Sequence, residues 1–481
     1  MTKVELVFVP LAAAGHIVSA VELAKLLVDR DERVSVTVIP MKMPFSNISN
    51  YTHPVQSSRI RFIDLPSDEL DPSVDPDKYF ASMIENSKHN IKETVSKLLP
   101  KSSESSSHED SPKLGGLVLD MFCTAMIDVA NEFGVPTYIF FASGAASLGL
   151  LFYMQDLHDE QGKDPTEFEN SDAELAVPSL VSPVPASSLP SSFFQKGLLQ
   201  VFLTMSRKFR ETKGIIINTF SELEPYAVKS LADGKIPPVY PVGPILNLKS
   251  NGQDGLNNNS SKFKEIMQWL DDQPPSSVVF LCFGSMGSFD VEQVKEIASA
   301  LENSGHRFLW SLRKPPPQDT MESPTDYSDP RDALPDGFLD RTADVGRVIG
   351  WAPQVDVLAH PSVGGFVSHC GWNSLLESIR FGVPIAAWPI YAEQQLNAFQ
   401  LVVELGLGVE IKLGYRMDQD HKPPIVNAGD IERGIRSLMD PNDERIKLLN
   451  EMSKYSKEAL EDGGSSYSTI GRLIQEITDN I

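Results

Sequence analysis

Polar and aromatic side chains that could do chemistry are concentrated between residues 351 and 394 of this 481-residue chain. Inside that stretch, the apolar run 365–368 predicts a short buried strand, and a turn and a helix follow it. The amino end of such a helix carries unpaired N–H groups and the positive end of the helix dipole, which together attract an anion. His369, Asn373 and Ser374 are placed to meet it. The sequence therefore predicts an anion-binding site at the carboxyl end of this strand.

A histidine and an aspartate in the first third of the chain form a second candidate group. His16 follows the predicted strand 4–10, and Asp120 ends the predicted strand 117–120. If both strands belong to one parallel sheet, the imidazole and the carboxylate can come within hydrogen-bond reach. An imidazole titrates near neutral pH, so His16 suits general-base catalysis, with Asp120 fixing its tautomer. From the residues alone, a helix cap is the alternative role for Asp120.

Two α/β domains are predicted to position these groups. A chain of 481 residues is too long for one ordinary core. Buried strands followed by amphipathic helices occur in both halves, as in Rossmann-like β/α/β domains. A run rich in Pro, Asn, Ser and Gly between residues 240 and 261 marks the break. We expect an amino-terminal domain over residues 1–245 and a carboxyl-terminal domain over residues 246–460.

The composition argues against several classes of partner. The chain has 42 basic and 65 acidic side chains, and its net charge of −23 disfavours nucleic acid and anionic membranes. Three cysteines without metal spacing, and a first segment that predicts a strand and not a signal peptide, indicate a reduced cytoplasmic protein. We expect a monomer without membrane insertion, whose sequons stay unglycosylated. Those sequons are at Asn47, Asn50, Asn258 and Asn259.

Nine residues between 351 and 394 have the identities and spacing of the donor-binding signature of plant family 1 UDP-sugar glycosyltransferases, which the chain resembles. They are Trp351, Gln354, His369, Gly371, Trp372, Asn373, Ser374, Glu377 and Gln394. The resemblance implies an α/β fold of the GT-B type, with two Rossmann-like domains facing each other across a cleft. The first domain would bind the acceptor and the second the UDP-sugar. A helix over residues 461–481 would pack back on the first domain.

The resemblance also implies roles for the donor-binding residues. Trp351 would stack on the uracil ring, and Gln354 and Glu377 would bind the ribose. Ser285, in a turn after the predicted strand 278–283, would meet the phosphates with His369. The residues expected to meet the sugar are Trp372, Glu393 and Gln394, and the remaining expected contact to UDP-glucose is Ala352. Gln394 favours glucose, whereas Glu393 stands where many members have Asp.

The family's catalytic pair has its counterpart in the sequences Gly15-His16 and Asp120-Met121-Phe122-Cys123. This makes His16 the expected general base and Asp120 its partner, although Ser19 replaces a proline that many members carry. The candidate contacts to the sugar or acceptor are Ser143, Phe122 and Tyr391, and a helix cap is the alternative for Ser143. The implied reaction is inverting transfer of glucose from UDP-glucose to a flavonoid, phenolic or terpenoid hydroxyl, without metal or cofactor.

Other functions are less well supported by the residues. D-x-D triplets at 29–31, 75–77 and 418–420 lie in turns or polar loops without a buried strand leading in, which disfavours a catalytic metal. Neither half has the glycine fingerprint or the Tyr-x-x-x-Lys base of a dehydrogenase or epimerase. A different UDP-sugar, such as UDP-xylose or UDP-galactose, stays open, as does a non-catalytic nucleotide-sugar binder.

Two further segments are predicted to be loops. Residues 172–196 are rich in Pro and Ser, and residues 313–331 are a Pro-rich surface loop. The apolar side chains in or after the first loop suit an acceptor pocket or core packing, and they are Phe193, Phe194, Phe202 and Met205. No motif fixes the shape of such loops, so the acceptor is not specified by the sequence.

Overall fold

The computed structural model describes residues 2–41, 57–65, 76–98, 112–248, 260–317, 323–417 and 423–481. The four sequons, Asp75 and the triplet 418–420 lie outside the described residues. Contacts divide the chain into two compact units. Unit 1 consists of Met1–Gln155, Val201–Asn247 and Glu458–Ile481, and unit 2 consists of Asp156–Gln200 and Leu248–Lys457.

The strands are numbered in chain order. They are β1 (Val4–Val9), β2 (Val34–Val38), β3 (Ile60–Phe62), β4 (Lys113–Asp120), β5 (Thr137–Phe141), β6 (Glu174–Leu175), β7 (Val184–Pro185), β8 (Gly214–Ile217), β9 (Val239–Pro241), β10 (Val278–Cys282), β11 (Arg307–Ser311), β12 (Arg313–Lys314), β13 (Thr325–Asp326), β14 (Gly346–Ile349), β15 (Val363–Ser368), β16 (Ile385–Ala387) and β17 (Gly408–Glu410).

The α-helices are numbered in the same way. They are α1 (Ala14–Arg30), α2 (Pro76–Leu98), α3 (Met126–Glu132), α4 (Ala145–Asp159), α5 (Lys196–Phe209), α6 (Pro225–Ser230), α7 (Ser261–Asp271), α8 (Val291–Ser304), α9 (Phe338–Arg341), α10 (Gln354–Leu358), α11 (Trp372–Phe381), α12 (Gln394–Phe399), α13 (Ala428–Leu438), α14 (Arg445–Glu458) and α15 (Ser465–Asp479). None of those in the described ranges is both long and apolar enough to cross a lipid bilayer.

Unit 1 contains a parallel sheet whose described strands run in the order β3-β2-β1-β4-β5-β8-β9. All six residues of β1 are buried, as expected for a strand covered on both faces of a parallel sheet. The strand order changes direction between β1 and β4, where the loops after the two strands leave toward opposite faces. Such a switch point leaves a crevice at the carboxyl ends of the strands, where open α/β sheets bind ligands.

Unit 2 contains a second parallel sheet, with the described strands in the order β14-β11-β10-β15-β16-β17. Its switch point lies between β10 and β15, and the last pair in their register is Cys282 with Ser368. The two sheets confirm the prediction of two Rossmann-like β/α/β arrangements. In each sheet two predicted functional residues lie at the carboxyl ends of the strands that flank the switch point, namely His16 and Asp120 in unit 1 and Ser285 and His369 in unit 2.

The C-terminal helix α15 belongs to unit 1. Ile470, Leu473, Ile474 and Ile477 of this helix are almost fully buried in the core that β1, β4 and β9 help to form. Burying one such side chain contributes about 1.5–3 kcal/mol relative to leaving it exposed. The Tyr240 hydroxyl also donates a hydrogen bond to Glu476 of the helix. Helix α15 therefore stabilises the sheet of unit 1, which contains β1.

The segment Asp156–Gln200 packs in unit 2, although it lies in sequence between two pieces of unit 1. The Glu404 carboxylate accepts hydrogen bonds from the backbone N–H groups of Val181, at 2.9 Å, and Ser182, at 2.7 Å. The Arg416 guanidinium donates to the carbonyl oxygens of Ala186, at 2.7 Å, and Leu189, at 2.9 Å. The Glu404 and Arg416 side chains thus hold the predicted loop 172–196 against the rest of unit 2. Within this loop, β6 and β7 form a short antiparallel pair.

The four apolar residues suggested for an acceptor pocket are divided between the units. Phe193 and Phe194 are buried in unit 2, where the Arg416 guanidinium lies 4.7 Å from the Phe194 ring centroid. Phe202 and Met205 belong to unit 1, and Met205 is buried. The burial of Phe193, Phe194 and Met205 therefore favours core packing as the role of these three side chains.

Candidate active site

His16 and Asp120 meet at the switch point of the unit 1 sheet. His16 lies in the first turn of α1, and Asp120 is the last residue of β4, the strand beside β1. His16 Nδ1 and Asp120 Oδ2 are 2.8 Å apart, and the two side chains are 24% and 1% exposed. The other carboxylate oxygen accepts a hydrogen bond from the Phe122 N–H at 3.0 Å. Asp120 thus caps the short helical turn 121–123 and also lies within hydrogen-bond distance of His16.

This geometry determines which nitrogen of His16 can accept a proton. An ionised carboxylate only accepts hydrogen bonds, so Nδ1 carries the hydrogen and Nε2 carries the lone pair. The Phe122 ring lies 5.5 Å from the imidazole, centroid to centroid, and the Phe202 ring lies 6.3 Å from that of Phe122. The candidate base is therefore flanked by apolar aromatic surface and oriented by a buried carboxylate.

Ser143 is buried in the turn between β5 and α4. The first N–H groups of α4 are bound by a distant side chain, because Glu224 accepts hydrogen bonds from Ala145, at 2.8 Å, and Ala146, at 2.9 Å. Glu224 is only 2% exposed, so its charge is placed at the positive end of the helix dipole. Sequence reasoning missed this residue because 78 and 79 positions separate it from its partners.

The loops after β10 and β15 lie side by side at the switch point of the unit 2 sheet. Gly284 follows β10 with φ +75°, and Cys370 follows β15 with φ +62°. A positive φ is unusual for a residue with a side chain, and at Cys370 it turns the backbone sharply into α11. Ser285 is exposed in the first loop, whereas Asn373 is half-buried and Ser374 buried in the first turn of α11. The arrangement presents hydroxyl, amide and backbone N–H groups at one sheet edge, as an anion site requires.

His369 is enclosed between those two loops. A Cβ atom added to Gly284 or to Gly371 would lie 2.6 Å from His369 Nε2, so only glycine fits at either position without displacing the ring. The side chain is 6% exposed, and burial lowers the pKa of His369 to about 4. At neutral pH the ring is therefore an uncharged hydrogen-bond donor toward an anion. Its Nδ1 is buried and makes no hydrogen bond within the part of the chain that the structure describes.

Gln354 joins the starts of α10 and α11. Its Nε2 donates hydrogen bonds to Ser374 Oγ at 2.9 Å and to Glu377 Oε2 at 2.7 Å. Three residues predicted to bind the donor are thereby brought into one cluster, although 23 positions separate Gln354 from Glu377. Trp351 is half-buried just before this cluster, and Ala352 beside it is buried. Aromatic, amide and carboxylate groups are thus available on adjacent segments of unit 2.

The residues predicted to meet the sugar lie at the start of α11 and α12. Trp372 is 4% exposed and Gln394 is 3% exposed. The Gln394 side-chain oxygen accepts hydrogen bonds from the N–H groups of Ile390 and Tyr391, both at 3.0 Å. Glu393 is half-buried. Gln394 therefore supports the backbone that carries its neighbours, in addition to any contact that it makes with a ligand.

Three features of this region have no signal in the sequence. Ala392 adopts a positive φ of +57° beside Glu393, and burial raises the pKa of Tyr391 to about 12. Asn397 Nδ2 donates to the Cys370 carbonyl at 3.1 Å and so supports the turn between β15 and α11. The backbone around the donor cluster is therefore fixed by buried amides on α12.

Asp31 forms an ion pair in the triplet 29–31, which is the one D-x-D triplet that the structure fully describes. Asp31 Oδ2 lies 2.7 Å from Arg33 Nη2, and the hydrogen bond to Arg33 lowers the pKa of Asp31. Within the described ranges, no three His, Cys, Asp or Glu side chains are grouped so that they could share a metal ion.

Comparisons with known proteins identify the family. The model of the family described as "UDP-glucoronosyl and UDP-glucosyl transferase" matches residues 217–421. The chain is 55% identical to "UDP-glycosyltransferase 71A15" of Malus domestica over 98% of its own length and 99% of that protein. It is 53% identical to "UDP-glucose flavonoid 3-O-glucosyltransferase 6" of Fragaria ananassa, over 98% of each chain.

A solved structure of similar sequence matches the whole fold. It is a Medicago truncatula enzyme in complex with UDP-glucose, which is 41% identical and superimposes with a TM-score of 0.86. The match covers 99% of this chain and 98% of that one, and it confirms the predicted GT-B type. The chain therefore belongs to the plant family 1 UDP-glycosyltransferases and is an enzyme of glycosyl transfer.

Proposed function

We propose that this enzyme transfers glucose from UDP-glucose to a hydroxyl of a small hydrophobic plant metabolite, with inversion at the anomeric carbon. The observation that carries the proposal is the hydrogen bond between His16 and the buried Asp120 carboxylate, because it orients the imidazole and leaves Nε2 to act as the base. A non-catalytic nucleotide-sugar binder would have no use for this pair. The names of the Malus and Fragaria relatives and of the Medicago complex support the reaction class and the donor.

In the proposed step, the acceptor hydroxyl gives its proton to His16 Nε2 as its oxygen attacks the anomeric carbon. The bond from that carbon to the diphosphate oxygen breaks, and UDP leaves from the opposite face. The Asp120 carboxylate stabilises the imidazolium that forms, as in other carboxylate–imidazole pairs. Binding of both donor and acceptor before the chemical step holds them for in-line attack, which removes much of the entropic cost of the reaction.

The donor is held by unit 2 in this proposal. Trp351 stacks on uracil beside Ala352, and the Gln354–Glu377 pair binds the ribose hydroxyls. The amino end of α11 and neutral donors stabilise the growing charge on the leaving diphosphate. These donors are Ser285, His369, Asn373, Ser374 and the Gly371 backbone. Trp372, Glu393 and Gln394 orient the glucose.

The acceptor class is proposed from the surroundings of His16. The aromatic rings of Phe122 and Phe202 favour an apolar molecule such as a flavonoid, another phenolic or a terpenoid. Ser143 and Tyr391 are further candidate contacts. The flavonoid in the name of the Fragaria relative supports the first of these acceptor classes. Three free and buried cysteines fit a cytoplasmic location.

A panel of flavonoids, simple phenols and terpenoid alcohols, incubated with the purified enzyme and UDP-glucose, tests the proposal. We expect acceptors with a mass gain of one hexose in mass spectrometry, and their loss in His16→Ala with UDP-glucose binding retained. Parallel reactions with UDP-xylose and UDP-galactose determine the sugar. UDP-glucose binding without transfer to any acceptor would favour the nucleotide-sugar binder instead.

A further inference from the structure

The peptide group between Gly350 and Trp351 is held at both of its polar atoms by side chains from other strands. The Trp351 N–H donates to Asp326 Oδ1 at 3.0 Å. The carbonyl oxygen of Gly350, just before it, accepts a hydrogen bond from Ser311 Oγ at 2.7 Å. Ser311 is buried at the end of β11, in the core sheet of unit 2. The backbone position of Trp351 is therefore fixed relative to the sheet.

Asp326 reaches this position from β13, within the segment that was expected to be only a surface loop. β13 pairs with β12, and this brings Arg313 Nε within 3.3 Å of Asp326 Oδ1. The Arg313 side chain is only 12% exposed, so a largely buried cation orients the carboxylate. A Cβ atom on Gly350 would lie 2.3 Å from Asp326 Cγ, so glycine is needed for the carboxylate to approach.

We propose that Asp326 is a positioning residue that holds Trp351 in place for stacking on the uracil of the donor. The inference rests on the proposed function, since it concerns the role given there to Trp351. Trp351 is half-buried, so core packing immobilises only part of its ring. Fixing both polar atoms of the peptide group that precedes the Trp351 Cα limits the orientations that the ring can adopt before the nucleotide arrives. Such preorganisation lowers the entropic cost of binding.

Steady-state kinetics and UDP calorimetry on Asp326→Ala test this role. Loss of the acceptor for the Trp351 N–H should raise KM for UDP-glucose and Kd for UDP roughly ten-fold, with kcat nearly unchanged. Asp326→Asn keeps an oxygen at this position, so we expect it to restore most of the affinity. The matched control is Asp329→Ala, which removes a carboxylate that caps the Arg331 N–H at 3.0 Å in the same segment. This control should leave both constants unchanged.

A double-mutant cycle with Trp351→Ala shows whether Asp326 acts through the ring. In the Trp351→Ala background, Asp326→Ala should cause no further loss of UDP affinity. An equal loss in both backgrounds would overturn the inference, because the carboxylate would then act without Trp351. If Asp326→Ala binds UDP normally while Trp351→Ala does not, the inference alone fails. If Trp351→Ala itself binds UDP normally, the stacking role in the proposed function fails.

Melting temperatures of all variants separate weak binding from misfolding. Should Asp326→Ala fail to fold, Ser311→Ala takes its place in the cycle, since it removes the other hydrogen bond to the same peptide group. Ser311→Ala should likewise raise Kd for UDP and lose that effect in the Trp351→Ala background. A Ser311→Ala enzyme with unchanged Kd would then count against the backbone mechanism.

Discussion

His16 Nδ1 and Asp120 Oδ2 lie 2.8 Å apart, although 104 positions separate the two residues in sequence. The contact exists because β1 and β4 are neighbours whose strand ends face the same crevice. It couples the orientation of an imidazole to a carboxylate that is itself bound to the Phe122 N–H. The protonation pattern of the ring therefore depends on keeping an acceptor at position 120.

Asp120→Asn should trap the wrong tautomer of His16. The amide oxygen can still accept from Phe122, and the amide nitrogen then donates to Nδ1, which moves the ring hydrogen to Nε2. We expect kcat to fall by about 10²- to 10⁴-fold, the range for loss of general-base catalysis. UDP affinity, measured by calorimetry, should be unchanged. A kcat within a factor of three of the parent enzyme would rule out the proposed base.

Gly371→Ala should displace His369. The backbone of Gly371 has φ −61°, which any residue can adopt, so the effect is purely steric. The new Cβ would lie 2.6 Å from His369 Nε2, and overpacking of this kind costs about 1–3 kcal/mol. We expect a lower melting temperature and a higher Kd for UDP. Gly197→Ala is the matched control, because no atom lies within 4 Å of its added Cβ, and it should neither lower the melting temperature nor raise the Kd for UDP.

The stability of the enzyme should depend on His369 at acidic pH. Burial lowers the pKa of His369 from 6.5 to about 4, so between these values the unfolded chain binds the proton more strongly. Stability is therefore lost as the pH falls through this window, by about 2 to 3 kcal/mol at pH 4.5 relative to pH 7. His369→Gln should flatten the dependence of melting temperature on pH. The exposed His89 provides the control variant, His89→Gln, and equal slopes for all three proteins would contradict the prediction.

Glu377→Ala should remove discrimination at the ribose. The carboxylate is held beside Ser374 by Gln354, in position to accept hydrogen bonds from sugar hydroxyls. Hydrogen bonds to a charged group contribute about 1.5–3 kcal/mol, so the parent enzyme should bind UDP roughly ten-fold or more tightly than 2′-deoxy-UDP. The variant should bind both nucleotides equally weakly. Calorimetry with the two ligands measures the ratio, and a ratio that persists in the variant would assign the ribose to other residues.

The positions of several candidate groups were predictable because they lie at the ends of recognisable buried strands. The apolar run 278–283 corresponds to β10, and the run 365–368 corresponds to the end of β15. Parallel strands place their carboxyl ends at one edge, and the space around Gly284 shows that the loops that carry Ser285 and His369 touch.

The supporting contacts could not be predicted, because they join segments that are distant in sequence. Glu224 caps α4, and Asp326 holds Trp351, yet neither lies in a local pattern that identifies its partner. The positive φ values of Cys370 and Ala392 are equally hidden, since neither residue type favours that region. Local periodicity specifies the strands and helices, whereas tertiary packing decides which distant side chain satisfies a given backbone group.

The path of the chain between the two units limits how such enzymes can be recombined. A hybrid joined at residue 248 would take Asp156–Gln200 from one parent, and Glu404 and Arg416, which fasten it, from the other. In the same hybrid, α15 of the second parent would pack against the unit 1 sheet of the first parent. An exchange that keeps each unit whole must move three separate pieces of sequence for unit 1 and two for unit 2.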